Sequence, residues 1–529
     1  MRAFSYLSLV AAVGGCAMGG SKKSARLAAP PHEMAVAGVP SPGYPIMAAE
    51  PQATAANTED YTDYGKNPWM MTEKDRFSTF AADVDTASYT IARRKLMQEN
   101  ALPPQASVRV EEWVNYFGYS FPAAHPGTPF ATLMEAAPHP FAQDRYVLRV
   151  GVATKAKTLG ERKPSALVFL VDVSGSMSSE DKLGLAKRAL HLLTENLTEK
   201  DAVSIVTYAG DSRVVLPMTS TDTKDGKARI HAAIDKLGAG GSTAMASGID
   251  LAYEQAAKWI RPGAISRVIV LSDGDANVGK HTHQEMLKLI EDRANQGVAL
   301  STIGFGMGNY KDTTMEQLAN KGNGNNYYID SFDAAKRVFG EQVTSTLEVA
   351  AKDVKLQVEF DPAQVARYRL VGYENRDVKD EDFRKDEVTG GQVGWGHQVT
   401  AMYEVELTPT GKTKPGPLGA VRIRHKQPEA AKSTEDAFMM AKAPAKTFGE
   451  ASADFRFAFT VAAFADVLRA GATWSLEDIR SQAVASAGDN KDRAELVSLI
   501  DRAIKLNPPR RQIASDAAQA TTTTTTVAK

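Results

Sequence analysis

One carboxylate and two hydroxyls stand at i, i+2 and i+4 in Asp172-Val173-Ser174-Gly175-Ser176, with a glycine that lets the backbone turn between the serines. Ligands of oxygen alone on a tight loop suit a hard divalent cation such as Mg²⁺ or Mn²⁺. Two further loops carry the same kind of donor: Gly240-Gly241-Ser242-Thr243-Ala244 and Leu271-Ser272-Asp273-Gly274-Asp275-Ala276-Asn277. The Ser-Gly-Ser run is not a nucleophile elbow, because Asp172 stands where Gly-x-Ser-x-Gly needs its first glycine. Two other pairs deserve weighing. Asp83-Val84-Asp85-Thr86 follows a short apolar run and carries two carboxylates at i and i+2. The commoner use of Asp85, Thr86 or Ser88 at a helix start is to cap it, and that is the expectation here. His281 and His283 form a His-x-His pair at the start of the next helix and are read as exposed.

These donors need a scaffold. The apolar run 167–171 ends at Asp172 and reads as a strand buried on both faces of a parallel sheet. Strands are expected over 167–171, 202–207, 213–216, 267–271, 299–303 and 326–329. Helices are expected over 182–197, 224–236, 244–259, 283–295, 314–320 and 334–347. Alternation at this spacing predicts an α/β fold with a doubly wound, mainly parallel sheet. Ligands of such sheets sit at the carboxyl ends of the strands, and the three loops fall at such strand ends or at helix starts.

The flanks differ in texture. A strand over 78–84 and helices over 87–98 and 110–116 precede the central region, with an alternating strand around 146–152. After residue 354 come strands over 354–360, 368–373, 399–407 and 420–425 with no long helix between them, a β-rich unit. A charged linker, 428–448, leads to helices over 454–469, 476–487 and 491–506. Ser475 is placed to cap the second of these. The first is apolar but carries Arg456, Asp466 and Arg469, so it is expected to face a protein core rather than lipid.

Lys and Arg number 62 against 63 Asp and Glu, a net charge of −1. No basic bias supports nucleic-acid binding. The single cysteine, Cys16, excludes an internal disulfide and an all-thiolate metal site. It follows Met1-Arg2, the apolar 7–13 run and Gly14-Gly15, the layout of a secretory signal peptide. With Val13 three places before it, the stretch resembles a bacterial lipobox. That implies cleavage before Cys16 and lipidation at it, with Ala17 favouring the outer membrane. Residues 17–70, rich in Ala, Pro, Gly and Met, read as a disordered tether, and the six-threonine tail as disordered.

The three motifs, in this order and on these elements, resemble the von Willebrand factor type A (VWA) domain, whose metal-ion-dependent adhesion site (MIDAS) they would form. The resemblance implies that Ser174 and Ser176 hold the cation directly and Thr243 directly or through water. Asp172 and Asp273 would balance charge through waters. Few direct carboxylates leave the cation electrophilic, and an open position favours an acidic group of a partner protein. With no obvious general base nearby, this implies binding, not an enzyme. The runs FSTFAADVDTASYTIARR, RVEEWVNYF, Gly394–Val405 and DFRFAFTVAAFADVLR resemble the bacterial YfbK-like group.

The expected organisation is a signal peptide (1–15), a lipid-anchored tether (16–70), an N-terminal VWA-associated region (71–160) and the VWA domain (164–348). A β-rich domain (351–427), a helical segment (449–507) and a disordered tail (508–529) follow. The implied protein is a cell-envelope lipoprotein facing the periplasm or the cell surface. The alternatives are a purely structural metal with binding by the flanks, or a phosphatase centred on Asp83 and Asp85. For the latter, a strand followed by Asp-x-Asp resembles the nucleophile motif of haloacid-dehalogenase-type phosphatases, which implies that Asp83 attacks phosphorus and Asp85 serves as acid and base.

Overall fold

The computed structural model describes residues 58–222, 224–274, 282–430 and 432–506. Cys16, the expected signal peptide and most of the expected tether therefore lie outside the described residues, as do Asp275, His281 and the threonine-rich tail.

The central sheet has six strands in the spatial order Asn326–Ile329, Val298–Phe305, Ile265–Ser272, Ser165–Asp172, Ala202–Tyr208, Ser212–Ser220. All pairs are parallel except the last. Every residue of Ser165–Asp172 is buried, as expected of a strand covered on both faces. Leu167, Phe169 and Val171 pack on one face with the helix Leu185–Glu195. Val168 and Leu170 pack on the other with the helix Met245–Ala257. From Ser165–Asp172 the chain steps outward one way, and from Ile265–Ser272 the other. Their carboxyl ends flank the point where strand order reverses.

The flanks interleave. An antiparallel sheet orders Met70–Met71, Val365–Val371, Gln398–Leu407, Arg145–Thr154 and Phe130–Pro138. A second joins Gly391–Gly394, Val349–Phe360, Gly419–Lys426 and Thr434–Met439, and Phe77–Ala81 pairs with Val349–Phe360. Strands from both ends of the chain thus share each sheet, and Phe80, Leu148, Val150, Val358 and Tyr403 share one core. A helical layer completes the unit. Ala453–Leu468, Leu476–Ala487 and Lys491–Leu506 pack with Val110–Tyr116 around Trp113, whose ring meets Phe464 edge-on at 5.5 Å. Ala453–Leu468 is buried in protein, and among the described residues no helix is long and apolar enough to cross a membrane.

Four expectations need correction. The tether does not run unstructured to residue 70: Glu59 pairs with the buried Arg94 and Lys95, and Asp60 bridges to Lys311. The single helix expected over 334–347 is broken into Phe332–Lys336, a π-turn Arg337–Glu341 around Gly340, and Val343–Leu347. There Arg337 lies 4.3 Å from the Tyr116 ring and donates to Tyr116 O. The linker over 428–448 contains the strand Thr434–Met439, an edge strand whose charged residues hid it. The helix Ala87–Met97 has no side-chain cap. Instead Glu112 accepts the Ser88 N–H at 2.8 Å.

Candidate functional site

Asp172 ends its strand opposite Tyr208 on one side and one residue past the Val171–Leu271 pair on the other. Its Oδ1 accepts the Ser174 N–H at 2.9 Å. Its Oδ2 accepts from the Tyr208 hydroxyl at 3.0 Å and the Ser272 hydroxyl at 2.9 Å. The residue is fully buried. Burial pushes its carboxyl above the usual range, hydrogen bonds from Ser174 pull it back, and the charge of Asp273 raises it again. A buried carboxylate in that state is stabilised by a nearby cation.

The turn after Asp172 presents its hydroxyls together, with Ser174 Oγ and Ser176 Oγ 3.1 Å apart. Ser174 is buried, Ser176 half-buried and Gly175 exposed, so the pair lies just beneath the surface and is reached past Ser176. The second loop is pinned to the first by its backbone. Gly175 N–H donates to Gly241 O at 2.9 Å, and Gly240 N–H to Val173 O at 2.7 Å. Gly241 sits at φ +86°, a left-handed conformation that favours glycine. Two residues on, half-buried Thr243 precedes the helix Met245–Ala257.

The third loop follows Ser272, which holds both Asp172 and, through its hydroxyl, the Gly274 N–H at 2.9 Å. Asp273 is fully buried. Its Oδ2 accepts from Lys182 Nζ and Asn309 Nδ2, each at 3.0 Å. The fold thus brings Asp172, Ser174 and Ser176 into one turn, links that turn through backbone to the Thr243 loop, and sets Asp273 directly after the serine that holds Asp172.

Four residues were missed in the sequence as parts of this site: Tyr208, Ser272, Lys182 and Asn309. Ser272 adjoins Asp273 and could have been found by strand register. Tyr208, also a strand end, needed the sheet order. Lys182 and Asn309 carry no motif.

Among the described residues, no group of three or more His, Cys, Asp or Glu converges as a metal cage. The donors are hydroxyls in front of two buried carboxylates, both engaged by protein donors. That set fits a hard cation held by neutral oxygens, with charge compensation from behind.

The other candidate pairs lie elsewhere. Asp83 Oδ1 accepts the Asp85 N–H at 2.9 Å, and Arg376 donates to Asp83 Oδ2 and Asp85 Oδ2 at 3.0 Å each. Asp85 Oδ1 accepts the Asn326 N–H. His283 is half-buried, its Nε2 2.7 Å from Gln317 Oε1.

Known proteins share this arrangement of sequence. Three family descriptions match: "Uncharacterized protein YfbK, C-terminal" over residues 345–506, "von Willebrand factor" over 55–149, and "von Willebrand factor type A domain" over 166–341. Domains of the last type often bind divalent cations and mediate protein binding in general. The protein YfbK of Escherichia coli (strain K12) is 38% identical over 477 residues, spanning 84% of this chain and 81% of that one. A protein of Synechocystis sp. is 28% identical over 215 residues, 41% of this chain and 49% of its own. A von Willebrand factor type A structure from Catenulispora acidiphila aligns at 18% identity and a TM-score of 0.41, covering 72% of this chain and 91% of that one. With the central parallel sheet in place and the flanks matched across most of the YfbK sequence, the chain belongs to the YfbK family of von Willebrand factor type A domain proteins.

Proposed function

We propose that this protein is a lipid-anchored component of a bacterial cell envelope that binds a partner protein through a divalent cation, Mg²⁺ or Mn²⁺. The observation that carries the proposal is the Asp172–Ser176 turn. Its two hydroxyls lie 3.1 Å apart, Ser174 buried and Ser176 half-buried, while the Asp172 carboxylate behind them is held by Ser174, Tyr208 and Ser272. Ser174 and Ser176, with Thr243, would hold the cation. Asp172 and Asp273 would compensate its charge from behind. A cation bound mainly by neutral oxygens supplies a Lewis-acidic position for a carboxylate of the partner. The protein's own part is positioning: the strand ends fix Asp172, and two backbone hydrogen bonds hold the Thr243 loop against the serine turn.

Catalysis is not part of this reading. Asp83 and Asp85, the residues of the phosphatase alternative, are buried and share Arg376, which occupies the oxygens an attacking carboxylate would need. Anchoring through Cys16 would place the domain at a membrane surface. It rests on the signal-peptide and lipobox-like pattern of the N-terminal segment ending at Cys16.

The test is capture of partners from detergent-solubilised envelope by the full-length protein, in Mg²⁺, in EDTA and with Asp172→Ala. A partner retained only by the wild type in Mg²⁺ is the expected result. A partner retained equally in all three moves binding to the flanking sheets and helices and leaves the metal a structural role.

A further inference from the structure

Lys182 brings a fixed positive charge into the candidate metal centre. It lies in the π-turn Glu180–Gly184, between the serine turn and the helix Leu185–Glu195. Such a turn rotates a side chain out of ordinary helical register. Here it sends the lysine inward: the side chain is about one-tenth exposed, and its ammonium reaches Asp273 Oδ2 at 3.0 Å and Asn309 Oδ1 at 2.8 Å. Asn309 closes the triangle by donating to the same Asp273 oxygen at 3.0 Å.

The surroundings are shaped for that stem. Gly306 sits at φ +77°, and a Cβ there would lie 2.2 Å from Lys182 Cγ and 2.4 Å from Cε. A residue larger than glycine at 306 would displace the lysine. A buried ammonium needs charged and polar partners to offset its lost hydration, and this one has both.

The consequence is electrostatic. Asp172 and Asp273 alone would neutralise a divalent cation. With the ammonium of Lys182 added, the loaded site keeps one formal positive charge. We infer that Lys182 is a specificity-determining residue that weakens the hold on the cation and leaves the loaded site net positive, so that it selects an anionic group of the partner. This rests on the reading of the site as a divalent-cation centre.

The experiment titrates the full-length protein with Mn²⁺ and follows the free ion by electron paramagnetic resonance. Wild type, Lys182→Met, Lys182→Gln, Lys182→Arg and Asp172→Ala are compared at one salt concentration. Removing a positive charge at this range should tighten Mn²⁺ binding by at least about fivefold in the Met and Gln variants. The Arg variant should stay near wild type, and Asp172→Ala should lose binding. The Gln variant retains a polar head for Asp273 and Asn309, so it serves if the Met variant does not fold. Mn²⁺ binding that is unchanged or weaker in the uncharged variants overturns the role of Lys182 while leaving the metal centre standing. No Mn²⁺ binding by wild type overturns the metal centre itself.

Discussion

Asp85, from the N-terminal flank, accepts the backbone N–H of Asn326 at 2.9 Å, and Asn326 opens the edge strand of the central sheet. The same carboxylate takes Arg376 from the C-terminal flank at 3.0 Å. One side chain therefore ties together three parts of the chain that are far apart in sequence. Burial, then the charge of Asp83, raises the Asp85 carboxyl well above its usual range, and Arg376 opposes both.

Arg376→Met should accordingly be costly. It strands two buried carboxylates, and breaking a buried pair in this way costs about 3–5 kcal/mol. Urea unfolding at neutral pH should read that loss. The loss should shrink in acid, where the stranded carboxyls can protonate. Equal destabilisation at both pH values would mean that Arg376 acts through packing alone.

The proposed metal centre predicts a ligand-dependent stability. A cation that binds only the folded state at about a hundred times its dissociation constant adds about 2.7 kcal/mol. Mg²⁺ should therefore raise the melting temperature of the wild type. Ser174→Ala should abolish that increment, and comparing the two proteins in EDTA reads separately whatever the buried Ser174 hydroxyl contributes through Asp172 and Ser176. An increment that survives Ser174→Ala would place the bound ion elsewhere.

Some of this was legible in the sequence because local pattern and tertiary demand agreed. The run ending at Asp172 is apolar because both sheet faces are covered, and His283–Asn295 begins where Thr282 and Glu285 form a capping box. The strand ends then followed from the strands, and with them Asp172 and Asp273. Pairing across the flanks was not legible, because nothing local to Phe77–Ala81 records that its partner, Val349–Phe360, lies beyond the whole central domain. Lys182 was hidden for a related reason: a π-turn follows no helical period, so a lysine at a helix start reads as solvated.

The joint between the flanks can be tested at a glycine. A Cβ on Gly391 would lie 1.8 Å from the carbonyl oxygen of Ala82, a backbone atom with no rotamer to yield. Gly391→Ala should force the Gly391–Gly394 strand away from the N-terminal flank and lower stability by more than about 2 kcal/mol, in the range of overpacked cores. Gly160→Ala, where a Cβ meets nothing within 4 Å, is the control. Similar melting temperatures for the two variants would refute the close approach.

Order in the segment before the first strand depends on Glu59. Its carboxylate pairs with Arg94 and Lys95, and its neighbours Thr58 and Asp60 donate backbone N–H groups to Gly308 O at 2.8 Å and Tyr310 O at 3.2 Å. In Glu59→Gln those two amides should lose hydrogen-exchange protection, while the amides of Ser165–Asp172 keep theirs. Protection lost equally in both places would mean that the segment is part of the global folding unit rather than a strap upon it.

A last prediction concerns pH. His397 is buried against the Gly394 turn, and the Gly394 N–H donates to its Nδ1 at 3.0 Å, so that nitrogen carries no proton. Burial, with the charge of Arg267 second, pushes the imidazole from 6.5 down to about 4. The unfolded chain therefore takes up a proton that the folded protein refuses. The stability this neutral histidine preserves is complete above about pH 6.5 and is lost as pH falls from there towards 4. The shift amounts to about 3 kcal/mol over that window. His397→Gln keeps an acceptor for Gly394 but cannot titrate. Relative to that variant, the wild type should lose stability steadily between pH 7 and pH 4 in chemical denaturation. Parallel curves for the two proteins would mean that His397 takes up its proton in the native state as readily as in the unfolded chain.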